Sequence, residues 1–312
     1  MNAQSQKIVL CGGWRTPIGH ISRSLSGLRP DDLLTRAAKE TVARVGVPAG
    51  EVDGLIAGWV GQDFQAPNIA RVSLLRAGFP ERAQAVTVQN NCVSSIEAVA
   101  AAARFILAGE GELYVAGGVE VMSRLPYTIA GSRASKALRS LSTVKEKWGE
   151  LLSDGDVAVV DAMEQGLTDP VRDINMAGTA EVAAQTYGVT REEQDAYAHE
   201  SFKRAIEGWN RGFYADHVFP VKEGEVSLEK DEYPFLREDL VAKPAKFGKA
   251  PVLFDNSAYS IKDFYRDFAK YMDGKSMPAG AKGTVTLFNS CGRSDGAAAV
   301  VVATEARAKA LK

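Results

Sequence analysis

The chain has 312 residues, of which 46% are hydrophobic and 24% are charged, a composition typical of a globular protein and not of a disordered or fibrous one. With 37 basic and 39 acidic residues, the formal charge of -2 leaves no electrostatic footprint for nucleic acid or an anionic membrane. Three cysteines without metal-binding spacing argue against a disulfide scaffold and against a structural zinc site. The sequence also shows no leader pattern and no membrane-spanning pattern, so we expect a cytoplasmic protein.

In the first 123 residues, predicted strands and helices alternate, which favours a doubly wound α/β domain. The elements predicted before the central motif are a strand at Lys7–Cys11, a turn at Gly12-Gly13, a helix at Pro30–Val45, a strand at Val52–Val60 and a helix at Pro67–Ala77. The first of these helices begins at an acidic cap and is followed by a glycine, as is typical of helix ends.

The stretch from Val86 to Ser123 is predicted to form a strand, a helix and a second strand. Its helix, Val93–Leu107, is apolar and rich in alanine on nearly all sides, and its second strand, Leu113–Ala116, ends at a pair of glycines. Parallel strands joined by a crossover helix predict a sheet that is covered on both faces. A helix without a clear polar face is expected to lie inside the molecule.

Cys92 lies at the joint between the first of these strands and the helix. Unpaired backbone N–H groups and the positive end of the helix dipole stabilise an anion there, so the position favours a nucleophilic thiolate. The alternative is a small buried hydrophobic residue, which is what most free cysteines are. Position on the helix alone does not decide between the two.

From residue 124 to 283 the chain is richer in charge, proline and aromatic residues. Its clearest helix, Arg191–Arg211, begins at a Thr190 cap. The polar segment Lys222–Tyr271 is expected to be a surface excursion outside the core. These features predict an inserted, mostly helical domain.

Strand character returns near the end of the chain. Strands are predicted at Gly283–Asn289 and Asp295–Ala303, followed by a helix at Glu305–Lys312. We therefore predict one α/β domain of residues 1–123 and 284–312, interrupted by the insertion.

Segments spread along essentially the whole chain carry a family resemblance. They are RTPIG at Arg15–Gly19, PNIAR at Pro67–Arg71, VQNNCVSSIEAV around Cys92, AGGVEVMS at Ala116–Ser123, EQGLTD at Glu164–Asp169, NMAGTAE at Asn175–Glu181, REEQDAYA at Arg191–Ala198 and GTVTLFNSCGRSDGAAAV at Gly283–Val300. Together, and in this order, these segments resemble the thiolase family.

The resemblance implies a layered α/β fold of the thiolase type, with a mixed five-stranded sheet, a buried helix and an inserted loop domain at residues 124–283 that covers coenzyme A. It also implies that the Cys92 thiolate takes an acyl group from a thioester, in thiolysis of a 3-ketoacyl-CoA or in condensation of acyl-CoA. The backbone N–H of Cys92 would help to bind the oxyanion. Coenzyme A would be a substrate, with no other cofactor and no metal.

The same resemblance implies which residues and partners surround coenzyme A. Leu167, Asn175, Met176 and Cys291 correspond to positions along its pantetheine arm. The resemblance further implies a role in acyl-CoA and fatty acid metabolism, and a homodimer formed through the N-terminal halves.

The sequence departs from the family pattern at several positions. Gln89 and Ser95 stand where the family has asparagine and glycine, so the side chains near Cys92 are larger. The run LFNSCG at Leu287–Gly292 replaces a smaller Ala-Gly-Asn-Ala-Ser-Gly wall beside the pantetheine. NMAG at Asn175–Gly178 lacks the histidine of biosynthetic members, which speaks against a specific acetoacetyl-CoA assignment.

A complete family member has a second half with an Asn-Glu-Ala-Phe segment, a Gly-His-Pro histidine that activates the nucleophile and a second catalytic cysteine. We expect this half to be absent from the sequence. His20, His199 and His217 are interpreted as solvated or capped side chains. The resulting hypothesis is an acyltransferase subunit whose base and acid come from another polypeptide. The alternatives are a non-catalytic acyl-CoA-binding or structural relic and a relative of the ketoacyl synthases.

Overall fold

A mixed β-sheet built from both ends of the sequence organises the computed structural model, which describes residues 6–130 and 157–311. In chain order, the strands of these residues are β1 (Ile8–Arg15), β2 (Gly19–His20), β3 (Gly54–Gly58), β4 (Gln84–Val88), β5 (Leu113–Val121), β6 (Tyr127–Ala130), β7 (Ala158–Asp161), β8 (Thr168–Asp169), β9 (Ile174–Asn175), β10 (Val221–Glu223), β11 (Val226–Leu228) and β12 (Ser294–Thr304). The sheet has the order β1-β12-β5-β3-β4, with β2 added beside β12. β3 is parallel to β4 and β5, whereas β12 is antiparallel to β1 and β5. The predicted α/β class, with a mixed sheet of five main strands, is confirmed.

The helices of the described residues are α1 (Pro30–Val45), α2 (Ile69–Arg76), α3 (Ser94–Leu107), α4 (Ala162–Gly166), α5 (Met176–Tyr187), α6 (Arg191–Asn210), α7 (Glu232–Phe235), α8 (Glu238–Val241), α9 (Ile261–Phe268) and α10 (Glu305–Ala310). Short 3-10 helices lie at Ala49–Glu51, Met122–Arg124, Pro244–Lys249 and Ala269–Tyr271. α1 ends at Gly46, which has a left-handed φ of 80°, and the Thr190 side chain caps α6 as predicted. Within this part of the chain, no helix is both long enough and apolar enough to cross a membrane.

Different helices cover the two faces of the sheet, because successive residues of a strand point to opposite sides. Leu55 and Val115 belong to the larger core cluster, which also contains the apolar side of α1. Their neighbours Ile56 and Ala116 belong to a second cluster with the buried side of α3. The sheet therefore has α1 and α3 on opposite faces, and α3 leads directly to the candidate site.

Two pairs of glycines lie inside strands, where a turn and a strand end were predicted. Gly12 and Gly13 continue β1, whose pairing with β12 shifts by one residue at this point. Gly117 and Gly118 lie within β5, and a Cβ on Gly117 would lie 2.0 Å from the carbonyl oxygen of Ala298 in β12. Both predictions are wrong, because these glycines accommodate a bulge and a close strand approach.

Residues 222–271 contribute to cores of their own. α9 buries Ile261, Phe264 and Tyr265 in one cluster, and Phe247 packs with residues of α6 in another. The apolar residues of α9 recur at helical spacing, a signal that the polar composition of the segment concealed. The prediction of a surface excursion is therefore wrong.

Residues 283–289 form a loop in place of the predicted strand, with one isolated bridge between Val252 and Thr286. The Thr286 hydroxyl accepts hydrogen bonds from the N–H groups of Phe288 and Asn289, both at 3.2 Å. Local side-chain acceptors thus satisfy backbone groups that a strand would pair with its neighbour. The strand prediction for this segment is wrong.

Contacts divide the chain into two compact units, one of residues 1–123 and 177–312 and one of residues 124–176. Every strand of the main sheet lies in the first unit, and the second contains the β6-β7 and β8-β9 pairs and α4. Residues 177–283, assigned to the insertion in the sequence analysis, group with the first unit in this division. The predicted domain boundaries at residues 123 and 283 stay a prediction.

Candidate active site

Cys92 lies in a short turn that joins β4 to α3, and its side chain is exposed. The preceding residue, Asn91, has a left-handed φ of 46°. Such a conformation costs energy in a residue other than glycine, so the surrounding structure must hold it. The position of Cys92 at a strand-to-helix joint is as predicted. Its exposure contradicts the alternative interpretation as a buried hydrophobic residue.

Hydrogen bonds to Ser94 close this turn. The Ser94 hydroxyl accepts from the N–H of Asn90 at 2.8 Å and donates to the carbonyl oxygen of Asn91 at 2.6 Å. Two backbone bonds, from Val93 to Asn90 at 3.2 Å and from Ser94 to Asn91 at 3.1 Å, support them. The N–H of Cys92 has no acceptor among the described residues. It is therefore available to a ligand at the start of the helix.

Two glycines let the first turn of α3 lie directly on the sheet. A Cβ on Gly58, the last residue of β3, would lie 2.4 Å from the carbonyl carbon of Ser94. A Cβ on Gly118 of β5 would lie 2.0 Å from the hydroxyl oxygen of Ser95. Because Gly58 and Gly118 are also partners in the β3-β5 register, they form one flat contact surface beneath the helix start.

Glu120 lies two residues beyond Gly118 on the same face of β5. Its carboxylate accepts hydrogen bonds from the N–H groups of Val60 and Gly61, both at 3.2 Å, and so anchors the loop that follows β3. Burial raises the pKa of this carboxyl, and the negative charge of Asp295 raises it further. The carboxyl-terminal edge of the parallel strands therefore carries the Cys92 turn and a half-buried acid together.

One side of α3 packs on the sheet and the other is exposed. Ala98, Ala102 and Ile106 are fully buried, whereas Ile96 is 71% and Leu107 is 58% exposed. The described residues place no layer over this outer side. The expectation that the helix lies inside the molecule therefore holds only for the side that faces the sheet.

The residues expected along the pantetheine arm fall in different units. Leu167, Asn175 and Met176 are neighbours in the second unit: the N–H of Met176 donates to the carbonyl oxygen of Leu167 at 2.9 Å, and Asn175 pairs with Thr168 between β9 and β8. Cys291 is exposed in the first unit, just before β12. Their roles in ligand binding stay a prediction.

Comparison with known families decides how this arrangement is classified. The family model described as "Thiolase, N-terminal domain" matches residues 8–247, well over half of the chain. The chain belongs to the thiolase family. The resemblance seen in the sequence is thereby confirmed.

Similar proteins include enzymes of two kinds within this family. The acetyl-CoA acetyltransferase of Pseudomonas aeruginosa is 31% identical, over 98% of this chain and 68% of that protein. The 3-ketoacyl-CoA thiolase of Escherichia coli is 31% identical, over 99% of this chain and 65% of that protein. The chain thus spans about two thirds of the length of these curated relatives.

Solved structures of the family superpose over nearly the whole chain. The acetyl-CoA acetyltransferase of Bacillus anthracis matches with a TM-score of 0.79 and 30% identity, covering 98% of this chain and 67% of that one. Human mitochondrial 3-ketoacyl-CoA thiolase, solved in complex with CoA, matches with a TM-score of 0.78 and 27% identity, covering 98% and 66%. The fold is therefore that of the thiolases.

In this thiolase-family chain, Phe288, the bulky residue of the run Leu287–Gly292, contacts an aromatic ring and an arginine. The Phe288 ring lies 6.0 Å from the Phe247 ring, centroid to centroid. The Arg237 guanidinium lies 5.0 Å from the centroid of Phe288 and 5.2 Å from that of Tyr233. Phe288 is thus packed in an aromatic cluster, whereas Leu287 in the same run is 65% exposed.

The three histidines of this thiolase-family chain differ in their contacts and exposure. The His20 ring stacks on Tyr233 with centroids 5.4 Å apart. His199 Nε2 lies 2.9 Å from the carbonyl oxygen of Val241, and His217 is exposed. His217 and His199 agree with the interpretation as solvated or capped side chains, since the Val241 carbonyl lies at the end of α8, whereas the half-buried His20 ring is stacked on an aromatic side chain.

Sequence reasoning missed the residues that other strands contribute near the Cys92 turn. These are Gly58, Gly118 and Glu120 from β3 and β5. It also missed Asp295 of β12, which is completely buried and accepts hydrogen bonds from the N–H of Ser123 at 3.0 Å and from its hydroxyl at 2.5 Å. One signal in the sequence could have found the two acidic residues. Glu120 in β5 and Asp295 in β12 are each the single acidic residue of a mostly apolar strand.

Proposed function

We propose that this chain performs thiolase-type acyl transfer with Cys92 as the nucleophile. The observation that carries the proposal is the exposed Cys92 thiol in a closed turn at the start of α3. In condensation, the Cys92 sulfur attacks the carbonyl carbon of an acyl-CoA thioester, the C–S bond to coenzyme A breaks, and coenzyme A leaves as its thiol with the proton that the Cys92 thiol gives up. In thiolysis, the Cys92 sulfur attacks the 3-keto carbon of a 3-ketoacyl-CoA, the bond between C2 and C3 breaks, and the C2 carbanion takes up that proton and leaves as acetyl-CoA. The acyl group is then held as a thioester on Cys92.

In the second step the acyl group leaves Cys92 for an acceptor. The sulfur of coenzyme A is the acceptor in thiolysis, and the α-carbon of an acyl-CoA enolate is the acceptor in condensation. We propose that the N–H of Cys92 and the positive end of the α3 dipole stabilise the negative oxygen that forms in each step. The names of the relatives, acetyl-CoA acetyltransferase and 3-ketoacyl-CoA thiolase, support both directions.

Coenzyme A is the proposed substrate partner, and we propose that Leu167, Asn175 and Met176 of the second unit contact its pantetheine arm, while the role of Cys291 in the first unit stays a separate prediction. The structure of a relative in complex with CoA supports this class of ligand. Asn175 and Met176 are exposed, so both side chains are accessible to a ligand. Three free thiols support a reducing, cytoplasmic setting.

Acyl transfer to Cys92 is tested by incubating the protein with acetyl-CoA or octanoyl-CoA and mapping the labelled peptide by mass spectrometry. We expect the label on the Cys92 peptide and a loss of about 10³-fold or more in labelling rate for Cys92→Ser. Cys11→Ser is the control, because Cys11 is also a free cysteine but is not among the proposed contacts of coenzyme A, and it should leave labelling of Cys92 in place. Label that persists in Cys92→Ser contradicts the assignment.

Calorimetry with coenzyme A separates the catalytic proposal from the non-catalytic alternative. Binding of coenzyme A without any label on Cys92 favours an acyl-CoA-binding relic. If coenzyme A does not bind and Cys92 is not labelled, both functions are contradicted.

A finer hypothesis concerns the outer side of α3, where Ile96 and Leu107 are exposed. A polypeptide or domain that covered this side would bury apolar surface at about 25 cal/mol per Å² and could bring a base and an acid to Cys92. The comparisons, which match nearly the whole chain, give no support for a separate subunit of this kind. The hypothesis of a covering polypeptide rests on the exposed side of α3 alone. The homodimer is likewise a proposal, and it rests on the family resemblance alone.

Size-exclusion chromatography with light scattering, followed by a thiolysis assay on the same fractions, tests this hypothesis. We expect the chain without a partner to aggregate or to lack thiolysis activity. A soluble fraction of the single chain that cleaves a 3-ketoacyl-CoA contradicts the partner requirement.

A further inference from the structure

We propose that Ser94 is a positioning residue for the Cys92 nucleophile, an inference that rests on the proposed acyl transfer. Its hydroxyl connects the two residues that precede Cys92, by accepting from Asn90 N–H and donating to the Asn91 carbonyl. It also belongs to the first turn of α3. One buried side chain therefore ties the turn to the helix.

Besides the Ser94 hydroxyl, the turn is held by two backbone hydrogen bonds, from Val93 to Asn90 and from Ser94 to Asn91, and by one from the Asn91 N–H to Gln89 Oε1 at 3.3 Å. Asn90, Asn91 and Cys92 are all exposed, so packing contributes little to their conformation. Asn91 also has a left-handed φ of 46°, which is unfavourable without a compensating contact. Ser94, by contrast, is only 3% exposed. Both of its hydrogen bonds are partly buried, so water competes with them less than at a fully exposed site.

Ser94 is itself held by the sheet. The backbone of Ser94 rests on Gly58, where an added Cβ would lie 2.4 Å from its carbonyl carbon. The chain of contacts therefore runs from β3 through Ser94 to the Asn91 carbonyl and Cys92. Because a displacement of about 1 Å at a reacting group can reduce a rate about 10²-fold, this connection has a direct effect on acyl transfer.

The decisive variant is Ser94→Ala, with Ser95→Ala as the matched control on the next residue of the same helix turn. The Ser95 hydroxyl faces Gly118 and has no hydrogen bond to the Cys92 turn among the described residues. For Ser94→Ala we expect single-turnover acylation of Cys92 at saturating acetyl-CoA to fall about tenfold to thirtyfold. The dissociation constant for coenzyme A should stay within about twofold, a separation that general unfolding would not produce. Ser95→Ala should acylate at the wild-type rate.

A second pair of variants isolates the hydroxyl if Ser94→Ala folds poorly. Ser94→Thr and Ser94→Val have the same shape and share any cost of the added methyl group, but only threonine keeps the hydroxyl. We expect acylation in Ser94→Thr to exceed that in Ser94→Val at least about fivefold. Equal rates in this pair, or wild-type acylation in Ser94→Ala, overturn the proposal.

A probe that does not depend on acyl-CoA distinguishes failure of this inference from failure of the proposed function. Iodoacetamide alkylation, mapped by mass spectrometry, compares Cys92 with Cys291 in the same molecule. We expect the rate ratio of Cys92 to Cys291 to fall at least about fivefold in Ser94→Ala, because the turn no longer holds the thiol in its exposed position at the start of α3. If the ratio falls while the wild-type protein shows no acylation, the positioning role stands and the proposed function is wrong. An unchanged ratio overturns the positioning role.

Discussion

Replacing Gly58 with alanine should displace the first turn of α3 and with it the Cys92 turn. Gly58 ends β3, and its Cα faces the backbone of Ser94 and Ser95 with no side chain between them. The substitution adds one methyl group at this contact and changes nothing else. It therefore asks whether the sheet itself determines where the nucleophile lies.

The magnitude follows from the contact distances. The new Cβ would lie 2.4 Å from the Ser94 carbonyl carbon and 2.5 Å from the Ser95 nitrogen, whereas ordinary contact begins near 3.4 Å. Both neighbours are backbone atoms of a helix, so the helix start has to move away by about 1 Å. Overpacking of this kind costs about 1–3 kcal/mol of unfolding free energy. A shift of about 1 Å at the nucleophile should also reduce acylation about 10²-fold.

Urea unfolding, followed by tryptophan fluorescence, measures the first effect, and single-turnover acylation of Cys92 measures the second. Gly50→Ala is the matched control, because no atom lies within 4 Å of its added Cβ, and its unfolding free energy should change by less than about 0.5 kcal/mol. If Gly58→Ala unfolded at the same urea concentration as the wild type, the contact between β3 and α3 would be refuted. Lower stability with normal acylation would show that the contact does not position Cys92.

Two further predictions concern charged groups of the first unit. Because burial raises the pKa of both Glu120 and Asp295, the folded protein retains protons that the unfolded chain has lost, and its unfolding free energy should fall as the pH rises from about 4 through the raised pKa values. Glu120→Gln removes one of these groups, so urea unfolding measured between about pH 4 and 8 should show a smaller fall in the unfolding free energy than the wild type does. Parallel curves of unfolding free energy against pH for variant and wild type would contradict this. Asp231 accepts hydrogen bonds from both terminal nitrogens of Arg15 at 2.7 and 2.8 Å and from Trp209 Nε1 at 3.0 Å, so Asp231→Ala should lower the unfolding free energy by about 2–4 kcal/mol. A loss below about 1 kcal/mol in urea unfolding would show that this cluster contributes less than a buried charge pair.

The sequence by itself determined the helix ends and the joint that carries Cys92. Thr190 and Gly46 mark ends of α6 and α1 because capping involves only residues a few positions apart. The alternation of strand and helix around Cys92 indicated parallel strands for the same reason, since the pattern lies within one short stretch. The order of the family motifs was enough to identify the thiolase fold.

Only the tertiary structure decided which residues surround that joint. Gly58 and Gly118 are far from Cys92 in sequence, and each is needed because another segment approaches its Cα. Nothing near Glu120 in sequence shows that its carboxylate accepts from the loop after β3, since that loop comes from a different strand.

The wrong predictions have the same origin. Gly283–Asn289 has the composition of a strand, but Thr286 and Asn289 satisfy its backbone locally and no neighbouring strand pairs along it in the described part of the chain. Phe264 is in a polar segment, yet it is completely buried. Local propensity is a property of a segment, whereas pairing and burial depend on which distant segments lie beside it in the folded chain.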